Sequence, residues 1–561
     1  MDTGLTEGER TAPRGGSHAL GTRVHGGRLL RFGRWCRRHP RATWAASLAF
    51  AGSALFLCFL REAQTYSLVS DPAGQALQAW QMWHGNPLLR GWWLGDVSFY
   101  TVELPLNAVV EMIVGLGPAE VSTSAALVYT AVVLLGALVA RGRARGWEGI
   151  ARALLAAGIM LAPSSVLGTQ VLLGGPDHVG TMIPVLLVFL VLDRAPERYW
   201  VPVVMGVLLT WAQVNDTQAT FAAASAVVVA CGLRACAEVA RRKRPPRDRW
   251  YDVSLVAAAL VSVGVAHLIV SQIHAAGGFY LPTPKNGLGF VSVNNLPTQS
   301  WATVYCLLIL FGADFIGQAM GTSAVFALLH LAGFSLGFWS LWLGVRGFLS
   351  RTDRVTQAVT AGAVIILAAG AFGMYMEPVT GAHEIIPVLP FCAVLAGRLL
   401  GGRLVALRLE PVLAAGLAVM VAALAYNDVQ PTAAPAHSQL AAWLEAHNLT
   451  SGLAGFWESN ITTLDSGGLV RVRAVTMGGT TAEPYETDAS WYNPAVSRAN
   501  FIVSYLGSTD LEPVEPTVAQ ARFGAPARVY HFEDYTIMVY NYNLLTRLTV
   551  PTGPWLGFQP G

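Results

Sequence analysis

Asp71, Glu103 and Asp177 are carboxylates placed in short polar segments between long apolar ones. A carboxylate within hydrogen-bond reach of a hydroxyl can take its proton as the oxygen attacks an electrophilic carbon, so acids in such segments suit group transfer to an alcohol, with Asp71 the candidate base. Basic side chains occupy comparable segments. Arg90, His178, Lys285 and His383 are candidates to meet a leaving group that carries negative charge, such as a lipid phosphate. Glu103 and Asp177 could also hold a divalent metal ion, because hard oxygen ligands from two loops suit one. Plainer readings stand beside these. Asp71 before Pro72 is a common helix start, Gly-Pro-Asp at 175–177 is a turn in which the side chain bonds local backbone, and Lys285 is equally a solvent-exposed accident. Asp96 reads as a solvated loop residue, and Asn215, Asp216 and Thr217 as a structural turn.

The elements that must position these residues follow from composition. Of 561 residues 53% are hydrophobic and only 13% charged, and the mean hydropathy is +0.46, too apolar for a soluble chain of this length. The expected fold class is a polytopic α-helical membrane protein with about eleven crossings: 44–60, 122–140, 150–168, 182–192, 199–214, 220–233, 253–274, 323–344, 357–376, 387–400 and 411–426. Basic residues mark each inner turn, among them Arg141, Arg143 and Arg145, the run 234–249, and Arg346, Arg351 and Arg354. By the positive-inside rule the N-terminus is cytoplasmic and the polar loops carrying the acids face outward. Residues 104–116 and 301–320 are apolar but interrupted, and read as surface, half-buried or re-entrant helices. The tryptophans at 80, 83, 92 and 93 suit a segment lying along the membrane surface, where this side chain prefers to sit.

Three regions result. Residues 1–27 read as a disordered cytoplasmic tail, 28–426 as the transmembrane domain, and 427–561 as an extracytoplasmic soluble α/β domain. In the last, 438–447 has helical spacing, and short runs at 453–457, 469–475, 500–505, 528–532 and 536–541 read as strands. Basic charge is almost all arginine, Lys243 and Lys285 being the only lysines, a bias of GC-rich bacterial genomes. The six cysteines show neither a disulfide framework nor metal-ligand spacing. The expected location is the cytoplasmic membrane, multi-pass, with membrane lipids as surroundings and no nucleic acid as partner.

Asp71, the helix ending in His84, Gly85, Asn86, Pro87 and Leu88, and the run Glu103, Leu104, Pro105 and Leu106 resemble the first loop of the GT-C glycosyltransferases. The branch resembled contains protein mannosyltransferases and aminoarabinose transferases, here in an actinobacterial-type chain. In those enzymes an acid soon after the first span precedes a surface helix, and a Pro-Pro-Leu-like segment opens a second. Glu-Leu-Pro-Leu replaces the usual Lys-Pro-Pro-Leu, so the basic residue before the prolines is missing. The resemblance implies transfer of a sugar from a polyprenyl-phosphate donor to a cell-envelope glycan, lipid or protein outside the membrane. It further implies a second essential acid at the position of Asp177 and a carrier-contacting base near His383.

Two other classes compete. A transporter or lipid flippase would show broken or charged spans near the midplane and internal repeats, and neither is evident. A non-catalytic membrane scaffold presenting its outer domain would tolerate replacement of Asp71 and Asp177.

Overall fold

The computed structural model describes residues 39–95, 97–195, 197–241, 246–281, 289–350, 353–373 and 376–551. The expected tail, Asp96 and Lys285 lie outside the described residues. Two compact units are distinguished, Met1–Ala54 and Leu55–Gly561.

The helices run in the order α1 (Pro40–Ala63), α2 (Ser70–Trp83), α3 (Glu103–Val114), α4 (Pro118–Arg141), α5 (Gly146–Met160), α6 (Leu167–Leu173), α7 (Met182–Arg194), α8 (Val201–Asn215), α9 (Ser225–Arg241), α10 (Pro246–Ala275), α11 (Leu296–Leu310), α12 (Thr322–Arg346), α13 (Arg354–Phe372), α14 (Val388–Ala406) and α15 (Glu410–Asp428). Eight of the described segments are long and apolar enough to cross a membrane: 42–63, 118–141, 220–237, 249–275, 322–346, 354–372, 388–406 and 410–428. The chain is a polytopic α-helical membrane protein. The remaining three expected crossings correspond to α5, α7 and α8, which have 15, 13 and 15 residues. Local chemistry sets several of these limits. Gly117 precedes Pro118 at the start of α4, a position proline suits because its missing N–H has no helical partner. Gly142, at φ +54°, lets the chain leave α4. Alpha-helix α5 stops before Pro163, whose ring disfavours helical geometry in the residue ahead of it.

The helices enclose one apolar core. Phe59, Tyr129, Phe189 and Phe391 are fully buried in it, with Phe189 and Phe391 packed edge to face at 5.6 Å. The single polar end of this group is satisfied, since Tyr129 Oη donates to the Met160 carbonyl at 2.7 Å.

After α15 come α16 (Ser438–Ala446), α17 (Phe456–Asp465) and α18 (Pro516–Phe523) with a six-stranded sheet. Numbering strands from β1 (Trp92–Trp93), the sheet contains β2 (Ser451–Ala454), β3 (Arg471–Thr476), β4 (Thr481–Ala482), β6 (Phe501–Tyr505), β7 (Arg528–Phe532) and β8 (Tyr535–Val539), while β5 (Thr487–Asp488) lies apart. The order is β4-β3-β2-β6-β8-β7, with β2 parallel to β3 and β6 and the other pairs antiparallel. Parallel pairing of β2 with β3 needs a crossover, which α17 supplies.

This α/β region is stitched to the first polar loop. Strand β1 pairs with β5, Trp92 opposite Asp488 and Trp93 opposite Thr487. Gln81 Nε2 donates to Asp488 Oδ2 at 3.2 Å, and Ser70 Oγ donates to the Phe456 carbonyl at 2.5 Å. Trp92 is buried against Trp491, ring centroids 5.1 Å apart. Trp92 therefore belongs to a protein core, while Trp80 and Trp93 are half-buried and Trp83 is 37% exposed.

Candidate functional site

Four loops meet at the end of the helical bundle that carries the sheet. Glu103 opens α3 and is completely buried. Asp177 and His178 lie between α6 and α7, Asn215 ends α8 with Asp216 just beyond it, and His383 sits in a 3-10 turn, Thr380–Ile385.

Asn215 is the joint of the assembly. Its Oδ1 accepts from the backbone N–H groups of Val102 at 2.8 Å and Thr101 at 3.1 Å. Its Nδ2 donates to Glu103 Oε2 at 2.5 Å and to Thr181 Oγ1 at 3.0 Å. Glu103 Oε1 accepts from the Thr181 backbone N–H at 3.1 Å. Asp216 Oδ2 accepts from Thr181 Oγ1 at 3.2 Å and lies 2.8 Å from His178 Nδ1, while its Oδ1 accepts from the Gln218 backbone N–H at 2.7 Å. Gln218 Nε2 then donates to the carbonyls of His383 and Glu384 at 3.2 and 2.9 Å. One continuous polar network thus fixes four loops against each other, and such networks over-determine side-chain positions.

Asp177 stands at its open edge. The carboxylate is 3.8 Å from His178 Nε2 and 3.6 Å from His383 Nδ1, and its side chain keeps 26% of its accessible surface. The Asp216 side chain keeps none and that of His178 only 10%. Groups that a substrate can touch, Asp177 and His383, are backed by groups that it cannot.

Electrostatics separates the two histidines. Burial pulls the His178 imidazole down, but the charges of Asp177 and Asp216 and the hydrogen bond to Asp216 outweigh it and hold the ring well above its ordinary value. His178 is therefore an imidazolium at neutral pH. His383 is lowered, by burial first and by the charge of His178, so it is neutral. Burial, helped by the charges of Asp216 and Asp177, pushes Glu103 up to about 8 against the lowering effect of the Asn215 hydrogen bond. A neutral acid, an imidazolium and a neutral imidazole are thus held together.

The backbone is strained at the same place. His178 adopts φ +52°, and Val379, immediately before the turn bearing His383, adopts φ +73°. Left-handed geometry is unfavourable for any side chain and most so for a β-branched one, and it persists where surrounding contacts impose it. A π-helical turn, Thr220–Ala224, follows the Asn215–Gln218 segment directly.

Asp71 lies in the first turn of α2, whose N-cap is Val69, so the helix begins one residue before this aspartate and Asp71 is not the cap. Its loop abuts the Asp177 loop: a Cβ added at Gly175 would lie 2.9 Å from Pro72 Cβ, and one at Gly174 3.0 Å from Tyr66 Cε1. Gly180 is required for the approach of Glu103, whose Oε1 would be 2.5 Å from a Cβ there. Arg90 is exposed, with its backbone N–H donating to Asn86 Oδ1 at 2.7 Å. Among the described residues no hydrogen bond or ion pair ties its side chain to the cluster.

Among the described residues no group of three or more His, Cys, Asp or Glu side chains is arranged to hold a metal. Glu103 uses both oxygens as acceptors within the protein, so Glu103 and Asp177 do not make a metal centre on their own. Asn215 and Asp216, which the sequence presents as a structural turn, prove central to the network. The available signal was a polar run, Gln213–Gln218, between two apolar stretches, where each polar group needs a partner.

No family model matches the chain, and no curated protein matches it. Among solved structures it is similar to ArnT from Cupriavidus metallidurans bound to undecaprenyl phosphate, at 14% identity and a TM-score of 0.49, covering 91% of this chain and 100% of that one. It is also similar to the Archaeoglobus fulgidus oligosaccharyltransferase tethered to an acceptor peptide, at 13% identity and a TM-score of 0.42, covering 84% of this chain and 70% of that one. The same oligosaccharyltransferase in complex with Zn and sulfate matches at 13% identity and a TM-score of 0.41, covering 78% of this chain and 64% of that one.

Proposed function

We propose that the chain transfers a sugar from a polyprenyl-phosphate-linked donor to an extracytoplasmic acceptor, in the manner of the GT-C glycosyltransferases that its first loop resembles. The observation that carries this reading is the junction of the Asp177 cluster with an apolar groove. The groove, of about 650 Å³, runs between α8 and α10 and is lined by residues including Val203, Val207, Val261 and Val265. Val203 and Val207 are 68% and 63% exposed there, open to hydrocarbon. At its end stand Thr101 and Val214, and Thr101 donates its backbone N–H to Asn215. A greasy chain in the groove would bring its polar head to the network.

The chemistry follows from the charges. The acceptor hydroxyl gives its proton to a carboxylate, Asp71 in this proposal, as its oxygen bonds to the anomeric carbon. The bond from that carbon to the phosphate oxygen breaks, and the lipid phosphate leaves with the electron pair. The His383 N–H meets the negative charge on that phosphate, and the buried His178 imidazolium behind it adds positive charge without touching it. Asp177, which lies 3.8 Å from His178 Nε2 and 3.6 Å from His383 Nδ1, orients the acceptor beside both rings. Undecaprenyl phosphate is bound by the Cupriavidus metallidurans protein, and a lipid phosphate of that class is the carrier we propose here.

Orientation rests on the arginines. Helix α7 begins just after the Asp177–His178 loop and ends at Arg194, and α4 and α12 end at Arg141 and Arg346. The arginine-bearing ends are cytoplasmic by the positive-inside rule, which puts the cluster and the 427–561 domain outside.

The test is transfer by the purified full chain in lipid nanodiscs, supplied with polyprenyl-phosphate sugars and a cell-envelope acceptor extract. Asp71→Asn and Asp177→Asn should each abolish most transfer. Wild-type rates in both variants would leave the transporter or scaffold reading in its place.

A further inference from the structure

Helix α3 is amphipathic in the reverse sense. Val109, Met112 and Ile113 are 53%, 58% and 79% exposed, while Glu103, Asn107 and Glu111 are 0%, 0% and 2% exposed. The buried three are spaced i, i+4, i+8, which places them on one face. Glu103 is accounted for by the cluster described above. Asn107 and Glu111 are not.

Glu111 faces a second acid. The three-residue connection Gly115–Gly117 leads from α3 into α4, whose first turn carries Glu120, completely buried. Glu120 is close enough for its charge to act on Glu111. Each has one oxygen engaged: Glu111 Oε2 accepts from Trp83 Nε1 at 3.0 Å, and Glu120 Oε1 accepts from Ser124 Oγ at 2.8 Å. The other oxygen of each, Glu111 Oε1 and Glu120 Oε2, is buried without a hydrogen-bond partner, and so is Asn107 Oδ1, one helical turn from Glu111. No arginine, lysine or histidine forms an ion pair with either acid among the described residues. Two buried acids with no countercharge are costly to leave as they are. Oxygen atoms from two carboxylates and an amide are the donor set that hard cations take, and magnesium-like ions complete such sets with water.

We propose that Glu111, Glu120 and Asn107 form a binding site for a hard divalent cation of the Mg²⁺ or Mn²⁺ class, set between α3 and α4 and separate from the Asp177 cluster. The ion would clamp the polar face of α3 to the first turn of α4, and so fix the helix whose first residue is Glu103. The proposal does not depend on sugar transfer.

Mn²⁺ is the probe. The full chain in nanodiscs, stripped with a chelator, is titrated with Mn²⁺ while free ion is followed by electron paramagnetic resonance. One site is expected in the wild type, weakened at least about tenfold in Glu111→Gln and in Glu120→Gln, since carboxylate count tunes affinity. Asn107→Asp supplies a third carboxylate and should tighten binding, a gain that a misfolded variant cannot mimic. Glu103→Gln and Asp177→Asn should bind as the wild type does. Absence of Mn²⁺ binding in the wild type, wild-type affinity in either glutamine variant, or loss of the site in Glu103→Gln or Asp177→Asn would overturn the assignment.

Discussion

Two sets of charged side chains sit at opposite ends of the bundle and are built differently. At the arginine-bearing end, Arg398 Nη2 bonds Asp193 and Asp353, both at 2.8 Å, and Arg398 Nη1 donates to the Val139 carbonyl at 2.7 Å. Arg354 and Arg234 bond the two oxygens of Asp252 at 2.6 and 3.2 Å. Arginines answer aspartates, across helices far apart in sequence. At the other end Glu103, Asp177 and Asp216 face one imidazolium and one neutral imidazole, Asp177 stays half open, and the backbone is strained at His178. Matched charges on regular helices read as a staple. Surplus acid on strained loops reads as a site that a substrate completes.

Four changes would break or sharpen that contrast. The largest effect is expected for Asp71→Asn, which should lower transfer by about 10²- to 10⁴-fold, the range of general-base catalysis, with the unfolding midpoint unchanged in a denaturation series. Arg398→Met should do the reverse in kind. It leaves Asp193 and Asp353 without their shared cation, and a loss of about 3–5 kcal/mol of stability is expected from removing one partner of a buried pair, read as a lowered midpoint.

Third is a pH dependence. Glu103 is raised from 4.5 to about 8, so between those values the folded chain keeps a proton that the unfolded chain releases. Stability therefore falls as pH rises through that window and levels off above it. The raised His178 acts in the same sense: its contribution is complete below about 6.5 and is lost as pH passes its folded value. Thermal unfolding of Glu103→Gln against pH should show a shallower fall than the wild type. The smallest effect belongs to Trp83→Phe, which removes one hydrogen bond to Glu111 and should cost about 1 kcal/mol.

Much of this contrast was legible in the sequence and some was not. The crossings were visible because long apolar runs end in arginines. Residues 438–447 and 528–532 showed their structure through local periodicity, and the observed elements match them closely. Glu103, Asp177, His178 and His383 were visible as polar groups that a membrane protein could have omitted, and the structure brings them together. Arg90 was equally visible by type, yet among the described residues no hydrogen bond or ion pair ties its side chain to them, because residue type says nothing of which side chains bond. Asn215 and Asp216 read as a turn because a turn and a hinge of three loops use the same residues. Trp92 read as an interfacial anchor since its burial depends on Trp491, about 400 residues later in the chain. The reversed face of α3 was hidden for the same reason: its polar side is covered by α2 and α4, not by water.

The most direct test of the central claim is the rate of sugar transfer by folded Asp177→Asn in nanodiscs beside the wild type, from a labelled polyprenyl-phosphate donor. A rate at or below about one hundredth of wild type, with unchanged thermal stability, is predicted for an acid that orients the acceptor at the reacting centre. A rate equal to the wild type would contradict it.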